Sequence, residues 1–243
     1  MTNNQDAPAL EVLFVDNHLL VVHKPAGVPI VPDSSKDESL SEQAKAWIAA
    51  EFDKQGKVFL GVVHRLDRPV SGVVCFARTS KAAARLTEAF KAREVTKVYL
   101  GIGVGRWPED LPAEGELRQW LRKDRVRNRV FSYSSEAIAP EGSKEALTRY
   151  RRLRTTAGRS LWRFEPHTGR SHQLRLAARS LGLPLLGDLR YSQGMAPLAD
   201  RSIGLHALRL SLAHPTTKEV LTFEAPLPTG EWWDEWRESA TEA

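Results

Sequence analysis

The chain has 243 residues, of which 42% are hydrophobic, and this is enough for one large domain or two small ones with a packed core. Its formal net charge of +5 favours a polyanionic partner. A polar start without an apolar stretch excludes a signal peptide, and no window is apolar enough to cross a bilayer, so we expect a cytoplasmic protein without a membrane anchor.

Taken in chain order, short apolar and β-branched runs predict strands, and only a few segments have helical spacing. Strands are expected at 11–16, 19–23, 73–78, 95–104, 144–155, 161–165, 205–212 and 220–224, and helices at 39–54, 80–92 and 171–181. Segments 107–115 and 139–142 are expected to be loops within one domain. Strands outnumber helices and follow one another, which predicts an α+β fold with a mixed, mostly antiparallel central sheet.

We expect three parts along the chain: a mobile N-terminus at 1–10, a single domain at 11–230 and an acidic C-terminal tail at 231–243. The last several residues are expected to be mobile, and the acidic tail should face away from a polyanion.

Cysteine and histidine residues give no metal pattern. Cys75 is the only cysteine, which excludes an internal disulfide and a cysteine-based zinc site and fits a reducing compartment. It lies in an apolar run and is expected to fill the core. His64, His172 and His206 have no standard ligand spacing, so we expect no metal.

Positive charge is concentrated in the middle of the chain. Six cations fall within a dozen residues: Arg118, Arg122, Lys123, Arg125, Arg127 and Arg129. A single surface arginine is usually only a solvated charge, but such a cluster is expected to track a phosphate backbone and to bind with salt-sensitive affinity.

Segment 64–72, His-Arg-Leu-Asp-Arg-Pro-Val-Ser-Gly, places one carboxylate among three cationic or potentially cationic side chains. Neighbouring positive charge lowers the pKa of a carboxyl group, so Asp67 is expected to stay ionised and to serve as a nucleophile or base. The alternative is that Asp67 only closes a turn before Pro69 and pairs with a surface arginine. This segment alone leaves both interpretations open.

Segment 168–176, Thr-Gly-Arg-Ser-His-Gln-Leu-Arg-Leu, has the pattern of a tight turn before a helix. Gly169 gives the turn a permissive backbone, and Ser171 is expected to cap the helix. His172 and Arg175 share its polar face. Because a guanidinium group binds a carboxylate through two bonds and keeps its charge, an arginine here is expected to clamp Asp67. The alternative is a solvated basic helix face.

Together these motifs resemble those of the RluA-type family of RNA pseudouridine synthases. The resemblance rests on 16–27, on His-Arg-Leu-Asp at 64–67 with Ser-Gly at 71–72, on Lys-Val-Tyr at 97–99, and on 168–175 with Leu-Gly-Asp at 186–188. It extends from about residue 11 to residue 225. Val70, Ala177 and Leu183 depart from the family's usual pattern, and none of them carries a group assigned to chemistry.

The resemblance implies helices packed on a long bent sheet, a central active-site cleft, and isomerisation of uridine to pseudouridine within RNA without a cofactor or metal. Asp67 is implied to be the catalytic carboxylate, which attacks the sugar, attacks the base or removes a ribose proton. Arg175 is implied to pair with Asp67. Tyr99 is implied to stack on the uracil and to take part in the final proton removal. Arg65 resembles the residue that fills the space left by the flipped base.

The partner implied is a structured transfer or ribosomal RNA, bound by a monomer with no obligate protein partner. Because the catalytic domain is expected to stand alone, segments 107–115 and 118–129 are expected to select the RNA. The predicted RNA-binding residues are Arg65, His64, Arg68, Arg170, His172, Arg122, Lys123 and Arg125.

Two other functions are compatible with the sequence. A non-catalytic RNA-binding protein on the same fold would keep the basic surface but would not need Asp67 or Tyr99. A phosphodiesterase would use His64 and His172 as acid and base. Replacing Asp67 with alanine separates these functions, because only a pseudouridine synthase should then lose turnover while RNA binding persists.

Overall fold

A computed structural model describes residues 10–124, 126–127, 129–156, 158–192 and 194–243. Within these ranges the strands are β1 (Glu11–Val15), β2 (Leu19–Lys24), β3 (Gly61–Val62), β4 (Ser71–Ala77), β5 (Thr96–Val104), β6 (Glu114–Asp124), β7 (Arg129–Tyr133), β8 (Lys144–Thr156), β9 (Arg159–Pro166), β10 (Leu205–Ala213) and β11 (Val220–Glu224). The helices are α1 (Leu40–Glu51), α2 (Ser80–Ala92), α3 (Gln173–Ser180), α4 (Glu231–Asp234) and α5 (Arg237–Ala240), with a 3-10 turn at Glu136–Ile138.

The 11 strands form one sheet in the order β1-β2-β4-β10-β5-β9-β8-β6-β7, with β11 beside β10 and β3 beside β4. Among the pairs that the described residues form, β4 and β10 run parallel and the other neighbours run antiparallel. The mixed, mostly antiparallel α+β fold is therefore confirmed. Strands β4, β10 and β5 lie side by side in the middle of the sheet, and they carry the loop of Asp67 and the side chain of Tyr99.

Every predicted strand and helix is present, and the structure adds the β6–β7 hairpin, the two-residue strand β3, the 3-10 turn and the short helices α4 and α5. The predicted strands are present as β1, β2, β4, β5, β8, β9, β10 and β11, and the predicted helices as α1, α2 and α3. The hairpin of β6 and β7 was not predicted, and β6 begins at Glu114, inside the segment assigned to a loop. In β6 only Gln119 and Leu121 are buried, so this strand lacks the apolar run that identified the others.

The turn before α3 differs from its prediction. Helix α3 begins at Gln173, and the residue before it is His172, which has a left-handed backbone with φ 56° and makes no side-chain capping bond. Ser171 is therefore not the cap. The Gln173 side chain closes the turn instead, because its Oε1 accepts hydrogen bonds from Thr168 Oγ1 at 2.7 Å and from the Arg170 N–H at 3.1 Å.

The C-terminal segment is packed on the sheet, so the expectation of a mobile tail is wrong. Trp233 and Trp236 are buried in a cluster with Leu100, Ile102 and Leu208. Residues 1–9 of the expected mobile N-terminus lie outside the described residues.

A row of aromatic side chains crosses the sheet below the site. The ring of Trp162 lies 4.8 Å from Trp107, 5.8 Å from Tyr150 and 5.1 Å from Phe164, measured between centroids. Phe164 is paired with Tyr99 across β9 and β5. Because residues directly opposite each other share a face of the sheet, Tyr99 lies on the same face as this row.

Candidate active site

Asp67 lies in the loop that leads into β4, and a buried lysine holds this loop. The Lys24 side chain is 0% exposed and donates from Nζ to the carbonyl oxygens of Pro25, Val28 and Arg68 at 2.9, 2.7 and 3.0 Å. An ammonium group has three donors, and each of them has an acceptor here. The backbone next to Asp67 is therefore fixed to the end of β2.

The charge of this lysine is linked to that of Asp67. Burial lowers the pKa of Lys24 to about 7, while the negative charge of Asp67 opposes the shift and the positive charge of Arg68 adds to it. The ammonium form is thus stabilised by the nearby carboxylate. In the sequence this lysine belongs to segment 16–27, which carried part of the resemblance, but a buried charge below the site was not predicted.

Arg175 joins Asp67 to a second carboxylate. Its Nη1 donates to Asp67 Oδ2 at 3.2 Å, so the predicted pairing is present. The bidentate partner of the fork, however, is Asp188, which accepts from Nε at 2.8 Å and from Nη2 at 2.6 Å. Burial alone would lower the pKa of Arg175, but the hydrogen bonds and charges of Asp188, together with Asp67, raise it above its usual value.

Exposure separates the two carboxylates that Arg175 contacts. The side chains of Arg175 and Asp188 are 7% and 1% exposed, whereas that of Asp67 is 29% exposed. The buried pair therefore acts as a fixed support, and Asp67 remains open to a substrate. The alternative of a solvated basic helix face therefore does not hold for Arg175.

His172 approaches the same carboxylate from the turn before α3. Its Nε2 lies 3.8 Å from Asp67 Oδ2, and its Nδ1 lies 2.5 Å from the hydroxyl oxygen of Tyr191. Burial lowers the pKa of His172, and the charges of Arg175 and Arg190 lower it further, although Asp67 opposes them. A neutral imidazole therefore faces Asp67.

Tyr99 lies on β5, half-buried, within electrostatic range of Asp67. Burial raises the pKa of Tyr99, and the negative charge of Asp67 raises it further, so the phenol is protonated in the resting site. Lys97 lies two residues earlier on this strand, and burial lowers its pKa to about 8. The structure thus brings Asp67, Arg175, His172 and Tyr99 together.

Other predicted RNA-binding residues make contacts within the protein. His64 Nε2 accepts the N–H of Cys75 at 2.9 Å, and its ring stacks on Phe90 at 4.8 Å. Burial lowers the pKa of His64 to about 4, and the charge of Lys97 contributes. The structure therefore gives His64 internal contacts in place of the predicted RNA contact, and a neutral His64 with an occupied Nε2 does not support the phosphodiesterase.

Arg68 and Arg170, which were also predicted to bind RNA, make contacts within the protein. Arg68 forms ion pairs with Asp37 and, at 3.7 Å, with Asp33, so the surface arginine pairs with these carboxylates and not with Asp67. Arg170 donates from Nε to the Glu145 carbonyl oxygen at 3.0 Å. Arg65, beside Asp67, is exposed.

The basic segment forms the hairpin of β6 and β7. Its exposed Arg122 and Lys123 line a groove of about 490 Å³ together with Asp124, Arg127, Phe131, Tyr133 and Pro140. Arg125, which was predicted with them, lies outside the described residues.

Sequence reasoning did not identify Asp188 and Tyr191 as site residues. Asp188 belongs to the Leu-Gly-Asp segment at 186–188, which carried part of the resemblance, and this was the available signal. Tyr191 follows three residues later in a turn, where the hydrogen bond from its N–H to the Asp188 carbonyl oxygen is 3.3 Å long. A tyrosine in a loop has no pattern that marks it as part of a site.

Within the ranges that the structure covers, no group of three or more His, Cys, Asp or Glu side chains is arranged to hold a metal ion. In the same ranges, no helix has both the length and the apolar character needed to span a membrane.

Comparison with known proteins identifies the family. A family model described as RNA pseudouridylate synthase matches residues 18–180. The chain is 34% identical over 224 residues to the dual-specificity RNA pseudouridine synthase RluA of Haemophilus influenzae, and the match covers 90% of this chain and 93% of that protein. The chain belongs to the RluA-type RNA pseudouridine synthase family. It is therefore an isomerase that acts on RNA.

Further similarities agree with this membership. The RluA-type chain is 37% identical over 222 residues to a protein of Zymomonas mobilis named as an uncharacterised RNA pseudouridine synthase, with 90% of this chain and 94% of that protein covered. The solved structure of human RNA pseudouridylate synthase domain containing 4 shares the fold, with a TM-score of 0.72, 24% identity, and coverage of 90% of this chain and 88% of that one. Human RNA pseudouridylate synthase domain containing 1 gives a TM-score of 0.69 at 26% identity, with 93% and 87% covered.

Proposed function

We propose that Asp67 is the carboxylate that carries out the isomerisation of uridine. The observation that carries this proposal is the hydrogen bond of 3.2 Å from Arg175 Nη1 to Asp67 Oδ2, made by a guanidinium group whose other side is locked onto Asp188. A charged donor fixed in this way orients the carboxylate before the substrate arrives, which reduces the cost of reaching the transition state.

The reaction rearranges bonds without adding or removing atoms overall. The N1–C1′ bond of uridine breaks, a C5–C1′ bond forms, the proton on C5 leaves, and N1 takes up a proton. A carboxylate contributes by attacking the sugar, attacking the base or removing a ribose proton, and each of these steps removes its negative charge. Asp67 is 29% exposed and so is accessible for any of the three.

Tyr99 is proposed to stack on the uracil and to take part in removing the C5 proton. While Asp67 is anionic, its charge raises the pKa of Tyr99 and keeps the phenol protonated. Once a reaction step has removed that charge, deprotonation of the phenol costs less. The pair would thus favour Tyr99 as a base only at the stage at which the C5 proton must leave.

The substitution Asp67→Asn tests the central assignment. We expect it to slow single-turnover pseudouridine formation by about 10⁴-fold or more, while the Kd for RNA changes little. Asp37→Asn is the matched control, because it removes the same charge from an exposed ion pair with Arg68. Pseudouridine formation by Asp67→Asn at the rate of this control would contradict the proposal.

The RNA is proposed to be transfer RNA, ribosomal RNA or both, and to be bound by a monomer in the cytoplasm. The name of the Haemophilus influenzae relative contains the words dual-specificity, which supports more than one target. Exposed Arg65 is proposed to fill the space of the flipped base beside Asp67.

The hairpin of β6 and β7 is proposed to contact the RNA outside the catalytic site. Arg122 and Lys123 are exposed, and Phe131 and Tyr133 line the groove beside them. Cations that track phosphates, combined with aromatic faces on which unpaired bases stack, are the usual elements of single-stranded RNA recognition. Arg125 belongs to the same sequence prediction.

A further inference from the structure

Tyr191 connects the β6–β7 hairpin through two hydrogen bonds to His172, which faces the proposed catalytic carboxylate. The side chain is buried, and the N–H of Val130 in β7 donates to its hydroxyl oxygen at 3.2 Å. The same oxygen lies 2.5 Å from His172 Nδ1, and His172 Nε2 lies 3.8 Å from Asp67 Oδ2. A continuous line of contacts therefore runs from β7 to Asp67.

The donor in the hydrogen bond between Tyr191 and His172 is identified by counting the available protons. A phenol has one proton, and its oxygen already accepts the Val130 N–H. Burial raises the pKa of Tyr191, so the hydroxyl keeps its proton, and His172 Nδ1 is the acceptor within reach. Since a neutral imidazole accepts at one nitrogen and donates from the other, the ring proton of His172 is on Nε2.

The tautomer matters because Nε2 faces Asp67. With the proton on Nε2, the positive end of an N–H dipole points at the carboxylate and stabilises its negative charge. With the proton on Nδ1, a lone pair would face the carboxylate and repel it. At 3.8 Å the N–H is beyond hydrogen-bond distance, and such contacts commonly tighten when a substrate binds.

We propose that Tyr191 is a positioning residue for the isomerisation, and that its hydroxyl holds His172 in the tautomer that directs Nε2–H at Asp67. This inference rests on the proposed role of Asp67. The ring of Tyr191 also lies 5.2 Å below the Arg175 guanidinium carbon. Tyr191→Phe keeps that ring contact and removes only the hydroxyl, so it isolates the contribution of the hydrogen bond.

The tautomer can be measured without any substrate. Nitrogen NMR of the full-length, ¹⁵N-histidine-labelled protein at neutral pH distinguishes Nε2–H from Nδ1–H, and the His172 signals are assigned by their loss in His172→Gln. We expect the Nε2–H form in the wild-type protein and a measurable fraction of Nδ1–H in Tyr191→Phe. A wild-type His172 protonated at Nδ1 would overturn the inference.

Kinetics provide the second measurement. We expect Tyr191→Phe to lower kcat roughly 10-fold and to leave the Kd for RNA unchanged, because outer contacts of this kind orient a reacting group without touching the substrate. Tyr150→Phe, at another buried tyrosine of the sheet, is the control and should keep the wild-type kcat. A wild-type kcat in Tyr191→Phe would refute the positioning role. Absence of turnover in the wild-type protein would instead count against the proposed activity, and the NMR result would still decide the role of Tyr191.

Discussion

The guanidinium group of Arg175 donates one hydrogen bond to Asp67 and two to Asp188. Because Asp188 is buried and Asp67 is partly exposed, the orientation of the carboxylate that we propose to react depends on an ion pair buried beneath it. A buried pair of this kind is costly to form but still more costly to break, since removing one partner leaves a buried charge uncompensated.

Asp188→Asn should therefore lower stability and activity together. We expect a loss of about 3–5 kcal/mol in the free energy of unfolding, measured by urea denaturation, because the buried guanidinium loses its charged partner. Asp234→Asn is the control, since it removes one partner of an exposed ion pair with Arg237 at 2.8 Å, and it should cost about 1 kcal/mol or less. Equal stability of the two variants would show that Asp188 does not support the site.

Among single residues, the sequence predicted Asp67 and Arg175 as members of the candidate site but did not predict the residues that support them. Asp67 and Arg175 were predicted because a carboxylate among cations and an arginine on a helix face have chemical signatures that are local in sequence. The contacts of Lys24 and Asp188 arise from the tertiary packing that buries them. A charged residue in a sequence is ordinarily exposed, so nothing local indicates that it will be buried and paired.

Among the secondary-structure elements, the parallel pairing of β4 with β10 explains why the residue at position 72, after the Asp67 loop, is a glycine. Gly72 has φ 127°, which side chains rarely tolerate. A Cβ atom there would lie 2.5 Å from the Ala207 backbone nitrogen and closer still to its carbonyl oxygen. The parallel strands therefore approach closely only because this position carries no side chain.

Gly72→Ala should be strongly destabilising. The added methyl group meets backbone that cannot move away, and we expect a loss of at least about 3 kcal/mol in the free energy of unfolding or failure to fold. Gly56→Ala is the control, because a Cβ atom there has nothing within 4 Å, and it should be close to neutral. Thermal unfolding of the two purified variants makes the comparison, and a folded Gly72→Ala protein of wild-type stability would contradict this explanation.

The elements that could be predicted are strands with a continuous apolar run and helices with a clear apolar period. Strands such as β2 and β4 are buried on both faces, whereas β6 and β7 are half-exposed and β6 carries charges on both faces. The pairing of β6 with β8 is a long-range contact, which a local pattern does not contain. The left-handed His172 at the start of α3 was missed for a related reason, since its conformation depends on contacts with Asp67 and Tyr191.

Across the whole molecule, the acidic C-terminal segment packs on one face of the sheet. Neighbouring residues of a strand point to opposite faces, so Leu100 and Ile102 face away from the side that carries Tyr99. Trp233 and Trp236 of the acidic C-terminal segment pack on these two residues. The C-terminal segment therefore lies on the face opposite to Tyr99, away from the proposed catalytic residues.

The proposed RNA contact of the hairpin predicts a change in salt dependence. Arg122→Ala should reduce the slope of log K against log salt concentration by about 0.7–0.9, because one phosphate contact and its released counterion are lost. Arg237→Ala is the matched control, since both arginines donate to a backbone carbonyl oxygen but Arg237 lies in the C-terminal segment. The slopes are measured by titrating labelled RNA at several salt concentrations. An unchanged slope in Arg122→Ala would remove this residue from the interface.

The central claim is that Asp67, oriented by Arg175, converts uridine to pseudouridine. Pseudouridine mapping of total RNA tests it most directly, in cells that lack this protein and are supplied with the wild-type chain, Asp67→Asn or Asp37→Asn. We predict that the wild-type chain and Asp37→Asn restore the same modified positions and that Asp67→Asn restores none. Restoration by Asp67→Asn at the wild-type level would contradict the account.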